Sequence, residues 1–465
     1  MKRIKKIIGG LIVGTMLMAA SHVLAAEQAK NVILMISDGM GFNTMKATDY
    51  YTGAPAVYES FSVKGSMNTS SAGASGGYVG VPYNPAQMWS NFNYQKSGYT
   101  DSASAATAMY TGVKNYDNQI NKTTNGANLT TFFETASLQG KATGAVSTVN
   151  FDHATPATVV AKTTNRNDYA TITSQMIASG LDVIMGAGHP FYNNSGQAVT
   201  ANYSIVGNET NWNSITGNAN GRTFIETKSD FEALANGTLL ANKVFGVAQV
   251  RDTIQDSRAG APGAAMNTNV PNLLTMTKAA LNVLDNNVNG FAIMIEGGAV
   301  DWANHANGLK RSIDEQIDFN NSVQYVVDYL NAGSNGNNWN NTLLIVTADH
   351  ETGALWGPTA GTFNQISDNG IGNLPGAVYN SGNHTNTLVP FFAKGTDAGL
   401  FNTYLTGSDP EMDNKYGIDL AFNSYIDNTD IFKVMSAAQN TAVPEPSVIL
   451  LFGLGMAGLA AFRCK

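Results

Sequence analysis

"NVILMISDGMG", residues 31–41, decides the fold. Its apolar run is unbroken from Val32 to Ile36 and is halted by Asp38 and two glycines. A run this short, apolar on both faces, predicts a strand buried on both sides, as in a parallel sheet covered by helices. The pattern returns in "KATGAVST" (141–148), "LDVIMGA" (181–187), "FAIMIE" (291–296) and "TLLIVTAD" (342–349). Helical candidates at 102–113, 156–164, 272–287 and 312–331 complete an α/β plan: a central, mostly parallel sheet sandwiched by helices. The stretch from about 188 to 270 differs, being rich in Asn, Gly and Thr with weak periodicity. It reads as an insertion decorating one side of the sheet, not as a separate domain. No internal repeat is evident.

The carboxyl ends of the strands carry the chemistry. Asp38 ends the first, Glu296 another, and Asp349-His350 a third. Open α/β sheets bind ligands beyond the carboxyl ends of their strands. Three strands are therefore expected to deliver acids to one edge.

The bulk composition narrows the function. The 465 residues carry a formal charge of −8. Without Lys2, Arg3, Lys5 and Lys6 the 34 acids face 22 Lys and Arg, a charge of −12. No basic face suits a nucleic-acid backbone. The single cysteine, Cys464, lies in the last residues, so the body has no disulfide and no thiol chemistry. Any metal there must be held by His, carboxylate and hydroxyl groups.

Both ends read as addresses. "MKRIKKIIGGLIVGTMLMAASHVLA" has a basic head, an apolar centre and small residues before Ala26, the plan of a secretory signal peptide cut after Ala25. The body then spans 26–440. The tail, 441–465, carries Val443-Pro444-Glu445-Pro446, an apolar run from Val448 to Phe462, and a basic end. The run is slightly short for a bilayer span of ~20 residues. One reading is a plain membrane anchor. The other is that the order of parts resembles the PEP-CTERM sorting signal, which implies recognition by export and sorting machinery, with only transient membrane anchoring and release to periplasm, cell surface or medium.

Histidines and acids cluster. Asp301 and His305 in "EGGAVDWANHANG" are four apart and share a helix face, which suits a metal or merely a solvated turn. "TADHETG" puts Asp349 and His350 after a buried strand, and "SGNHTNT" sets His384 in a loop. Of six histidines, His22 belongs to the leader and His189 to the insertion. Three of the other four sit beside an Asp or within helical reach of one. "YTDSASAATAMYTGVK" (99–114) heads a helix of very small residues with Asp101-Ser102. Either residue caps a helix well. A hydroxyl at a helix start also lets an anion approach backbone N–H groups.

Taken in order, "ISDGMG", "TDSASAATAMYTGVK", "HATPA" (153–157), Arg166, "EGGAVDWANH", "TADHETG" and "GNHTNT" resemble the alkaline phosphatases over about residues 30–440. The resemblance implies an exported phosphomonoesterase with a phosphoserine intermediate on Ser102, next to Asp101, and with two zincs and one magnesium. It implies that Asp301, His305 and His384 hold one zinc, and that Asp38, Asp349 and His350 hold the second beside Ser102. Asp38, Thr155 and Glu296 would hold the magnesium, near His153. Arg166 would clamp the phosphate. His to zinc and oxygens to magnesium suits both ions. Thr155 before Pro156 is equally an ordinary helix cap. His153 stands where the best-known enteric member has an acid, and Trp302 where it has a base. Many members are homodimers. The alternatives are a phosphodiesterase or sulfatase-like hydrolase of the same superfamily, and a surface structural protein that has lost catalysis.

Overall fold

The computed structural model describes residues 28–439. The signal-peptide segment and the tail with its apolar run lie outside them. Among the described residues no helix is long and apolar enough to cross a membrane.

Eleven strands form one sheet among these residues. In chain order the first eight are β1 (Asn31–Ser37), β2 (Val63–Asn68), β3 (Ala142–Asn150), β4 (Val183–Ala187), β5 (Thr223–Ile225), β6 (Val244–Val247), β7 (Phe291–Gly297) and β8 (Thr342–Thr347). The spatial order β8-β1-β7-β3-β4-β6-β5 is parallel throughout. Beyond β8 come Val389–Gly395, β2, Ser424–Asp427 and Gly407–Ser408, where antiparallel pairs enter. The sheet is mostly parallel, as the continuous apolar strands require.

β1 lies at the heart of the sheet. Val32 to Ile36 are fully buried, each contributing roughly 2 kcal/mol by leaving water. In register, Ile36 faces Glu296 of β7 and Thr347 of β8, and Ser147 of β3 faces Glu296. The four strand ends thus stand level. Asp38, Glu296, Asp349-His350 and the turn after β3 leave from the same edge.

Helices cover the sheet. Leu309–Asn331 buries Ile313, Phe319, Val323 and Leu330 along one stripe, and Phe319 packs where a Cβ on Gly297 would sit 3.0 Å away. Ser102–Thr111 is buried on all sides, which only its small residues permit, and it stops at Gly112 in the left-handed conformation. The helix expected over 156–164 is one turn, Ala154–Ala157. The β-branched residues after it disfavour further helix. The Asn/Gly-rich stretch does more than decorate: β5 and β6 come from it and extend the sheet at its edge. At three and four residues, they are too short to show a period.

Candidate active site

Asp101, not Ser102, caps the helix Ser102–Thr111: its Oδ1 accepts from Ser104 N at 3.0 Å. This frees the Ser102 hydroxyl, which lies 3.2 Å from His350 Nε2. Asp101 Oδ2 receives Arg166 Nη1 at 2.9 Å. Arg166 Nη2 stands 3.3 Å from His153 Nε2. The loop after the helix ties both ends of this pair together, since Asn118 N donates to Asp101 Oδ2 and Arg166 N donates to Asn118 O. Burial pushes the Asp101 carboxyl up, but the Arg166 charge and the Ser104 N–H outweigh it and hold the carboxyl below its usual value.

The turn after β1 draws the acids together. Gly39 has φ +77°, and a Cβ there would fall 2.8 Å from Asp301 Cα. Only glycine lets the two backbones approach so closely. Gly39 N donates to Asp349 Oδ1 at 3.3 Å, and Gly39 O accepts from Asn304 Nδ2 at 3.2 Å.

Two groups of ligand atoms result, each within 4.8 Å: Asp301, His305, His384; and Asp38, Asp301, His350. In the first, His305 Nδ1 donates to Gly382 O at 2.7 Å and His384 Nδ1 to Thr100 O at 2.8 Å. These bonds select the tautomer and turn both Nε2 atoms toward Asp301, at 3.3 and 3.5 Å. Burial opposes charging His305, yet Asp301 beside it pushes its pKa up to about 9. The second group brings in Asp301 where the resemblance names Asp349. Asp349 is nonetheless at hand, with Oδ2 3.3 Å from His350 Nε2, while Asp38 Oδ1 is at 3.6 Å.

The donor set fits cations. Both Asp38 oxygens, Asp349 Oδ2, Glu296 Oε1 and Thr155 Oγ1 are buried without a hydrogen-bond partner, an arrangement that is costly unless a positive charge satisfies it. Burial, then the charges of Asp349, Asp301 and Glu296, raise the Asp38 pKa well above its usual value. Burial likewise lifts Glu296 to about 7 and Asp349 to about 6. The capping role open to Thr155 is not taken, because His153 stands at the helix N-cap and Thr155 lies inside the turn. His153 faces Arg166 instead. Burial and the guanidinium hold its pKa near 3, so it is neutral.

Ser102, Arg166, His153, Trp302, His305 and His384 all line one cavity of about 590 Å³.

The family model for alkaline phosphatase matches residues 29–373. The chain belongs to the alkaline phosphatase family. It is 27% identical over 356 residues to alkaline phosphatase 3 of Bacillus subtilis, covering 74% of this chain and 65% of that one. It is 29% identical over 377 residues to the alkaline phosphatase of Escherichia coli, covering 73% and 74%. The chain thus spans about two thirds to three quarters of these relatives. The alkaline phosphatase of the Antarctic bacterium TAB5 superposes over 89% of this chain and 99% of its own, at 25% identity and TM-score 0.60. A variant of that enzyme with a His changed to Asp has magnesium in its M3 site. A PEP-CTERM protein-sorting motif matches residues 442–465, which indicates export and sorting.

Sequence reasoning missed two acids at this candidate site. Asp117 Oδ1 accepts from Ser104 Oγ at 2.9 Å and receives Asp101 N at 3.4 Å, while its Oδ2 takes the Tyr78 hydroxyl. Asp256 lines the cavity beside Arg166 and His305. The sequence signal for Asp117 is only its closeness to "TGVK". Asp256 sits in a loop without any period.

Proposed function

We propose that the chain hydrolyses phosphate monoesters through a phosphoserine on Ser102, with two zincs and one magnesium as its cations. The observation that carries the reading is the cavity shared by Ser102, Arg166 and the imidazoles of His305 and His384. Ser102 Oγ attacks the phosphorus, and the ester P–O bond breaks to release the alcohol. Water then cleaves the new P–Oγ bond and frees inorganic phosphate. The first-turn N–H groups of a ten-residue helix attract the arriving anion.

Arg166 is aimed in advance. Asp101 takes one terminal nitrogen and His153 the other. The remaining donors of the planar fork serve two phosphate oxygens. A monoester dianion spreads two charges over three terminal oxygens and a diester one charge over two, so the guanidinium favours the monoester. Asp301, His305 and His384 would hold one zinc, Asp38, Asp349 and His350 the other, and Asp38, Thr155 and Glu296 the magnesium, with His153 near it. Bound there, the cations would stabilise the serine and leaving-group oxygens and supply an activated water.

The test is metal content together with rates on phenyl phosphate, its diester and the sulfate, before and after chelation. The monoester should be fastest, chelation should stop it, and zinc with magnesium should restore it. Preference for the diester or sulfate would refute the reading. The 3.2 Å contact of His350 Nε2 with Ser102 Oγ favours a second one, in which His350 takes the serine proton. That version requires turnover to survive in fully chelated protein.

We also read the sorting tail as removed during export. A mature protein whose mass includes residues 441–465 would contradict this.

A further inference from the structure

We propose that Asp256 selects the leaving group, favouring phosphate monoesters whose alcohol carries an ammonium close to the ester oxygen. This rests on the phosphomonoesterase reading and names its substrate class. Asp256 is only 8% exposed, yet it lines the cavity that holds Ser102 and Arg166. Among the described residues it forms no ion pair. The two nearby arginines are engaged elsewhere, both on backbone carbonyls and Arg258 also on Asp314 at 3.7 Å. Arg258 Nη1 donates to Gln255 O at 2.8 Å and Nη2 to Ala264 O at 3.0 Å. Arg311 Nη2 reaches Arg258 O at 3.0 Å and Gly260 O at 2.7 Å. These bonds pin the loop, so the carboxylate is presented by a rigid support.

Burial raises the Asp256 carboxyl above its usual value, the Arg311 and Arg258 charges pull it back, and Asp301 adds to the rise. Asp256 lines this cavity together with Asp301, His305 and His384, where the alcohol departs in the proposed chemistry. Trp302 completes the wall. Its ring stands edge-on to His153 at 5.8 Å and is half-buried in the same cavity. A buried carboxylate repels a phosphate dianion and attracts a positive group on the substrate. A carboxylate and an indole together suit an ammonium.

The experiment compares kcat/KM for 2-aminoethyl phosphate and for propyl phosphate, which match in size, at about pH 8 where the amine stays charged. The metal-loaded wild type should prefer the amine about tenfold or more, and Asp256→Asn should bring the ratio to about one. 2-Carboxyethyl phosphate should be disfavoured by the wild type, and the variant should relieve that discrimination. Because each ratio is internal to one preparation, partial misfolding of the variant does not alter it. A wild-type ratio near one, or a preference that survives in Asp256→Asn, overturns the proposal. Failure to turn over phenyl phosphate as well would instead refute the phosphomonoesterase reading.

Discussion

The Nε2 atoms of His305 and His384 face each other at 3.0 Å, with each opposite Nδ1 fixed to a backbone carbonyl. Two lone pairs and the Asp301 carboxylate therefore meet at one point. Something positive must occupy it, either a proton or a metal ion.

That competition has a pH signature. With His305 raised to about 9, the metal-free site keeps a proton at neutral pH that a metal must displace. Zinc affinity should rise with pH until about 9 and then level. Calorimetric titrations at about pH 7 in buffers of different ionisation heat should show about one proton released per zinc at this site. Heats independent of buffer would count against it. For the metal-free fold the sign is opposite: the His305 contribution is complete below its ordinary 6.5 and is lost as pH rises through about 9.

Ser102→Ala should lower turnover at least about a thousandfold and abolish acid-stable labelling by phosphate. Because Asp101 is the cap, the melting temperature should move little. A variant that keeps its rate would remove Ser102 from the chemistry.

Asp101 performs two tasks that substitutions separate. Asn still caps the helix but loses the ion pair with Arg166. Asp101→Asn should therefore weaken phosphate inhibition about tenfold with little change in stability. Asp101→Ala should do the same and also cost about 1 kcal/mol of stability. Equal phosphate affinity in all three proteins would show that Arg166 needs no such support.

His153 is neutral, so the oxygens of Asp38, Glu296 and Thr155 lack one nearby negative charge. His153→Asp should lower the magnesium needed for half-maximal activity about tenfold or more. An unchanged requirement would show that His153 has no bearing on that ion.

The sequence made the centre of the molecule legible and the edge obscure, for physical reasons. β1, β7 and β8 are buried on both faces, so their apolar runs stand out, and an acid after such a run is conspicuous. β5 and β6 are too brief for periodicity to show. Asp38, Glu296, Asp349 and His350 are visible for the same reason as their strands. Arg166, in "TTNRNDY", looks like any surface arginine until Asp101 and His153 are seen on either side of it. Asp117 and Asp256 act from loops, where local pattern says nothing about spatial neighbours. His189, assigned to the insertion, is occupied by Glu226 at 2.8 Å.

The level ends of β3, β7, β1 and β8 have a consequence for biogenesis. Asp38 lies near the start of the body while Asp301 and His350 come far later, so no short fragment of the chain holds the centre that Asp38 joins. Long-range strand pairing comes late because distant segments must first meet. A growing or unfolded polypeptide thus offers a metal ion only separated ligands for that centre, which is complete once the distant strands have paired.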